Sequence, residues 1–100
     1  MSRHAVLVRD TRQLGAFTRA VRKAQRLRQD EIGRFSHSFI LDLENGKPTA
    51  QVGKVLDALV ELGVTVRLEA PAGLDVATLE RYLRESSLAL DSSAKADDAR

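Results

Sequence analysis

Ser36, His37 and Ser38 stand side by side near the middle of the chain, and Leu41, Asp42, Asn45 and Lys47 follow within eleven positions. Hydroxyls and an imidazole can each donate or accept a hydrogen bond, so the cluster suits polar recognition. It does not suit catalysis. His37 has no serine, second histidine or cysteine placed to form a reactive set with it. No glycine-rich phosphate loop, nucleophile elbow or pair of carboxylates on a pocket-sized scaffold is present. His4 and His37 are the two histidines and there is no cysteine, which is too few for a metal site. The expectation is a protein that is not an enzyme, with no cofactor and no metal.

Charge is placed unevenly. Residues 1–34 hold nine Lys/Arg against three acids, a surplus of +6, while residues 35–100 hold seven against eleven, a deficit of −4. A basic end on a nearly neutral chain points to a polyanionic partner. The competing reading of Arg12, Arg19, Arg22, Lys23 and Arg26 is a solvated helix face. Arg28 and Arg34, further along, are open to the same two readings. No run of about 18 apolar residues exists and "MSRHAVLVRD" lacks the apolar core of a signal peptide, so a cytoplasmic protein is expected.

These residues need elements to position them. Leu14, Phe17, Val21 and Ala24 recur at spacings of three and four, which predicts an amphipathic helix over 12–26, with Asp10 or Thr11 as its cap. Asn45-Gly46 ends whatever helix precedes it, and Pro48 prevents simple continuation. Val52, Val55, Leu56, Leu59, Val60 and Leu62 predict a helix over about 50–62, ended by Gly63. "VTVRLEA" (64–70) alternates like a half-buried strand, and "HAVLVRD" (4–10) is a second candidate strand. Asp75 caps a last helix bearing Val76, Leu79, Tyr82 and Leu83. A lone strand needs a partner for its backbone groups, either within the chain or from a second copy.

Leu14-Gly15, Arg22-Lys23, Gln29, the "SxxFI" of Ser36, Phe39 and Ile40, and "LENGKPT" at 43–49 resemble the Cro/phage-repressor type of helix-turn-helix, over roughly residues 9–70. More narrowly the stretch resembles HipB-like antitoxins of toxin–antitoxin pairs. The resemblance implies that the helix from Ser36 enters a DNA major groove, with Ser36, His37, Ser38, Leu41 and Asp42 at base edges. Gln29 and Asn45 would meet phosphates, and the strand 64–70 would pair across a homodimer through Val64, Val66 and Leu68. The partner toxin would be a HipA-like serine/threonine kinase. Residue chemistry fits part of this. Ser and His suit base edges, and Leu41 suits a thymine methyl, but Asp42 repels phosphate unless kept away from it.

The match is incomplete between Gln29 and Ser36, where nearly one helical turn is missing. Ile32, Phe35, Phe39, Ile40 and Leu43 fit one continuous helix over 29–44 as well as they fit two helices joined at Phe35-Ser36. The intact "SxxFI…LENGKPT" favours the two-helix form.

The fold expected is therefore mainly α, a small helix-turn-helix bundle of about five helices with one C-terminal β-strand and a second candidate strand at the N-terminus. A domain over 1–70 would carry DNA binding and dimerisation, residues 71–90 a helical extension, and 91–100 a disordered tail. The DNA-contact candidates are Arg28, Gln29, Arg34, Ser36, His37, Ser38, Leu41, Asp42, Asn45 and Lys47. The expected function is an antitoxin and transcriptional autorepressor. The alternatives are a toxin-binding scaffold that has lost DNA reading, and a stand-alone repressor without a toxin.

Overall fold

The computed structural model describes residues 4–91, in four helices: α1 (Thr11–Ala24), α2 (His37–Glu44), α3 (Val52–Glu61) and α4 (Val76–Glu85). A single 3-10 turn, Gln29–Glu31, lies between α1 and α2. By contact pattern the chain forms two compact units, Met1–Arg67 and Leu68–Arg100. Among the described residues no helix is long and apolar enough to cross a membrane.

Local chemistry sets the helix starts. Asp10 caps α1 by accepting from the Gln13 amide at 2.8 Å, and Gln13 returns a side-chain oxygen to the Arg9 amide at 2.6 Å. Ser36 caps α2 through the Phe39 amide at 3.1 Å. Asp75 caps α4 through the Thr78 amide at 3.0 Å. The helix ends share one device. After each helix a residue with left-handed backbone lets the next amide reach back five positions: Leu27 to Arg22, Lys47 to Asp42, Val64 to Leu59 and Leu88 to Leu83. Glycine makes this conformation easy at Gly46 (φ 79°), whereas Arg26 (φ 61°) adopts it against its side chain's preference.

In the first unit, Ile32, Ile40, Leu43, Val55, Ala58, Leu59 and Leu62 form the buried core, with Leu14, Val21, Leu27, Phe35, Phe39, Ala50 and Val64 packed around it. Phe35 and Phe39 stack with ring centroids 5.5 Å apart at the edge of that core. Phe17, expected inside with them, is only half-buried, and Ala24 is exposed. The face of α1 that is buried carries Gly15, Thr18 and Arg22 instead. Gly15 allows the closest approach, since a methyl there would run into the carbonyl oxygens of Leu43 and Glu44. The Thr11 hydroxyl bonds the Gly46 carbonyl at 2.8 Å, and the Gln25 amide nitrogen bonds the Leu62 carbonyl at 2.7 Å. Both bonds tie α1 to the ends of the helices that follow.

The expected fold is corrected in two respects. There are four helices and a 3-10 turn rather than about five helices, and no strand among the described residues. Neither 64–70 nor 4–10 finds a paired edge among the described residues, so the alternation of Val64, Val66 and Leu68 does not become a strand. Val64 packs on the first unit's core, while Val66 is 50% and Leu68 92% exposed. Between Gln29 and Ser36 the chain is neither one helix nor two full helices. After the 3-10 turn, Ile32 is extended (φ −96°, ψ 95°) and Gly33 is left-handed (φ 49°), which breaks helical continuity before Ser36 begins α2. Mainly α holds. Of the expected tail 91–100, only Asp91 falls among the described residues; 92–100 lie outside them.

Candidate functional site

α2 divides its eight residues between two faces. Ile40, Leu43 and Glu44 are buried, and His37, Ser38 and Leu41 are exposed. The inward carboxylate explains how the helix is held. Arg22 of α1 grips Glu44 with two nitrogens, Nε to Oε2 at 2.6 Å and Nη2 to Oε1 at 3.0 Å. Arg22 Nη1 also donates to the Leu27 carbonyl at 2.8 Å. The pair is nearly sealed from water, with side-chain exposures of 9% and 2%. Burial pushes the Glu44 carboxyl up, but the hydrogen bonds from Arg22 and Gln29, with the charges of Arg22 and Arg19, outweigh it and hold the group below its ordinary 4.5. The hydrogen bond that Arg22 donates to Glu44 raises the guanidinium further against its own desolvation, so both partners are charged. Among the described residues no buried side-chain nitrogen or oxygen lacks a partner.

The network continues outward. Gln29 Nε2 donates to Glu44 Oε1 at 3.0 Å, and His37 Nε2 lies 2.7 Å from Gln29 Oε1. A hollow of about 570 Å³ opens over this network. His37 and Leu41 line it from α2 and Asn45 from the residue that closes α2, Gln29 from the 3-10 turn and Arg28 from the residue before it, and Arg19 from α1.

The expected contact residues occupy different situations. Ser36 is exposed and spends its oxygen on the cap, with the Ser38 hydroxyl 3.3 Å away. Arg28 is exposed and bonds Asp30 Oδ1 at 3.0 Å, and that hydrogen bond holds the Asp30 carboxyl below its usual range. Arg34 and Asn45 are exposed, and Asn45 closes α2. Gln29 has its oxygen and nitrogen both engaged within the protein. Asp42 pairs with Lys47 Nζ at 3.3 Å. Both side chains are about half exposed, so the pair adds little stability, but it places a cation beside the awkward carboxylate.

Arg22, read from the sequence as either a phosphate contact or a solvated cation, is neither. Glu44 was not singled out at all. A signal for both existed. Glu44 follows Ile40 by four and Leu43 by one, on the apolar side of its helix, where a carboxylate requires a buried cation. Gly15, Thr18 and Arg22 recur at i, i+3 and i+7, which marks a close-packed stripe rather than a solvated one. Among the described residues no group of three or more His, Cys, Asp or Glu could hold a metal ion.

No family model matches the chain, and no solved structure matches it. A curated relative does: the uncharacterized HTH-type transcriptional regulator y4mF of Sinorhizobium fredii (strain NBRC 101917 / NGR234) is 52% identical over 61 residues, covering 58% of this chain and 80% of that protein. An identity this high, across most of the relative's length, establishes that the chain belongs to the HTH-type transcriptional regulators.

Proposed function

We propose that this chain binds operator DNA as a homodimer, represses its own operon, and acts as the antitoxin of a HipA-like serine/threonine kinase. In this reading it works in the cytoplasm, is not an enzyme and needs no cofactor. The observation that carries DNA binding is the geometry of α2. Its inward face is fixed by the core and by the buried Arg22–Glu44 pair, so His37, Ser38 and Leu41 are presented outward on a rigid element. Ser38 and His37 supply hydrogen bonds to base edges, and Leu41, 40% exposed, supplies apolar contact to a thymine methyl. Arg28, Arg34, Asn45 and Lys47 supply contacts to the phosphates on either side. Asp42, neutralised by Lys47, sits at the edge of that surface.

The antitoxin role draws its support from the narrower resemblance of residues 9–70 to HipB-like proteins. The homodimer draws support from Val52, Leu56 and Val60, an exposed apolar stripe at i, i+4 and i+8 on α3. The reading without DNA binding, a toxin-holding scaffold, is favoured by one observation: the element expected to lie across the DNA backbone is reduced to a single 3-10 turn.

Fluorescence anisotropy with duplexes tiled from upstream of the gene tests these readings. Tight binding to one palindromic tile, steeply weakened by salt and lost with Ser38→Ala, is the expected result. Weak binding that is equal on all tiles and on a scrambled duplex would sink the operator reading and leave the scaffold. Co-purification with the kinase encoded beside this gene, if there is one, separates an antitoxin from a stand-alone repressor.

A further inference from the structure

The hydrogen bonds that run from the core to α2 have a fixed direction. An ionised carboxylate can only accept. Glu44 accepts from Arg22 Nε and Nη2, and Oε1 also accepts from Gln29 at 3.0 Å. The Gln29 atom facing Glu44 is therefore its amide nitrogen. Its amide oxygen is thereby turned toward His37, 2.7 Å from Nε2. An amide oxygen cannot donate, so the hydrogen of this bond belongs to His37 Nε2. In an uncharged imidazole one nitrogen carries hydrogen and the other is a bare acceptor. The acceptor left over is Nδ1, on a ring that stands exposed at the first position of α2.

Building on the DNA-binding reading above, we infer that Gln29 is a positioning residue that fixes which nitrogen of His37 carries hydrogen, so that His37 selects a base offering an amino group. In the major groove, adenine N6 and cytosine N4 donate, while guanine and thymine present acceptors at the matching atoms. An Nδ1 acceptor therefore favours adenine or cytosine at one position of each half-site. The selection is written in the buried pair. Arg22 orients Glu44, Glu44 orients the Gln29 amide, and the amide orients the imidazole. This differs from a phosphate contact by Gln29, which would strengthen binding to every sequence equally.

Two measurements on the full chain test this. In the first, binding sites are selected from a randomised duplex library with the wild type, Gln29→Met and His37→Ala. Gln29→Met keeps the side chain's length and removes both hydrogen bonds. The wild type should enrich adenine or cytosine at one position per half-site, by roughly fivefold, the worth of about one hydrogen bond. Both variants should lose that preference and retain the others. If Gln29→Met keeps the preference and weakens all sites equally, the proposal is overturned. The second is a long-range 1H–15N spectrum of the imidazoles without DNA, with His4→Ala used to assign His37. Hydrogen on Nε2 in the uncharged ring supports the inference, and hydrogen on Nδ1 overturns it. This spectrum needs no change near the site. If the wild type selects no sequence at all, the DNA reading fails, while the spectrum still decides the state of the ring.

Discussion

α2 and α4 are alike in almost every local respect and differ in what they bury. They are eight and ten residues long, and each starts at a side-chain cap, Ser36 or Asp75, that accepts from the amide three positions on. Each ends in the same back-reaching bond, from Lys47 to Asp42 and from Leu88 to Leu83. Yet α2 buries Ile40, Leu43 and Glu44, and α4 buries nothing. Helices this short are marginal in water on their own. Caps decide where such a helix begins, and a neighbouring surface decides how firmly it is held. α2 has that surface in α1. In α4 no residue is fully buried, and Val76 and Tyr82 on its apolar side are more than half exposed.

The sharpest way to break this contrast is Glu44→Ala. It strands the Arg22 guanidinium in a nearly dry site, and removing one partner of such a pair costs about 3–5 kcal/mol. Chemical denaturation should show a domain close to unfolded. A loss below about 1 kcal/mol would mean that the pair does not anchor α2. The same group sets an acid limit. Its folded value lies below 4.5, so its stabilisation is complete at neutral pH and is lost as pH falls below 4.5 and through the lower folded value. Thermal melts from pH 7 to pH 3 should show this loss in the wild type and a flatter profile in Glu44→Gln.

Gly15→Ala comes next. It inserts a methyl against backbone oxygens that cannot swing aside, and overpacking of this kind costs about 1–3 kcal/mol. The loss should show as a lower denaturation midpoint, and an unchanged midpoint would mean that α1 and α2 separate easily. Ser36→Ala removes a cap and should cost about 1 kcal/mol of the same transition. The smallest effect sharpens the contrast from the other side. Leu83→Ala in α4, where no residue is buried, should shift global unfolding by less than about 0.5 kcal/mol. A loss like that of a core leucine would show that α4 is packed in solution.

What the sequence reveals follows the same divide between local and tertiary causes. Asp10, Ser36, Asp75, Gly46 and Gly63 act on neighbours within a few positions, so the starts and stops of the helices were readable. Periodicity located α1, α3 and α4 to within a few residues. Residues 64–70 misled because period-two alternation says only that a strand is possible; pairing depends on an edge elsewhere, and the described residues of this chain supply none. Residues 29–36 misled differently. The apolar spacing was compatible with one helix or two, and Gly33's left-handed backbone, packed near Glu61, settled the path. At the candidate site, Ser36, His37, Ser38 and Leu41 were legible as an outward face. Arg22 was misread and Gln29's role was hidden, since each depends on Glu44, 22 and 15 positions away in sequence.

The division of α2 into two faces bears on how such a protein can diverge. Ser38 and Leu41 contribute nothing to the buried core, so a lineage could exchange them and acquire a new target without first repairing its fold. His37 is different, because its ring is wired through Gln29 to the same carboxylate that holds the helix down. Of the outward residues, Ser38 and Leu41 are free vocabulary, while His37 is inherited together with the scaffold.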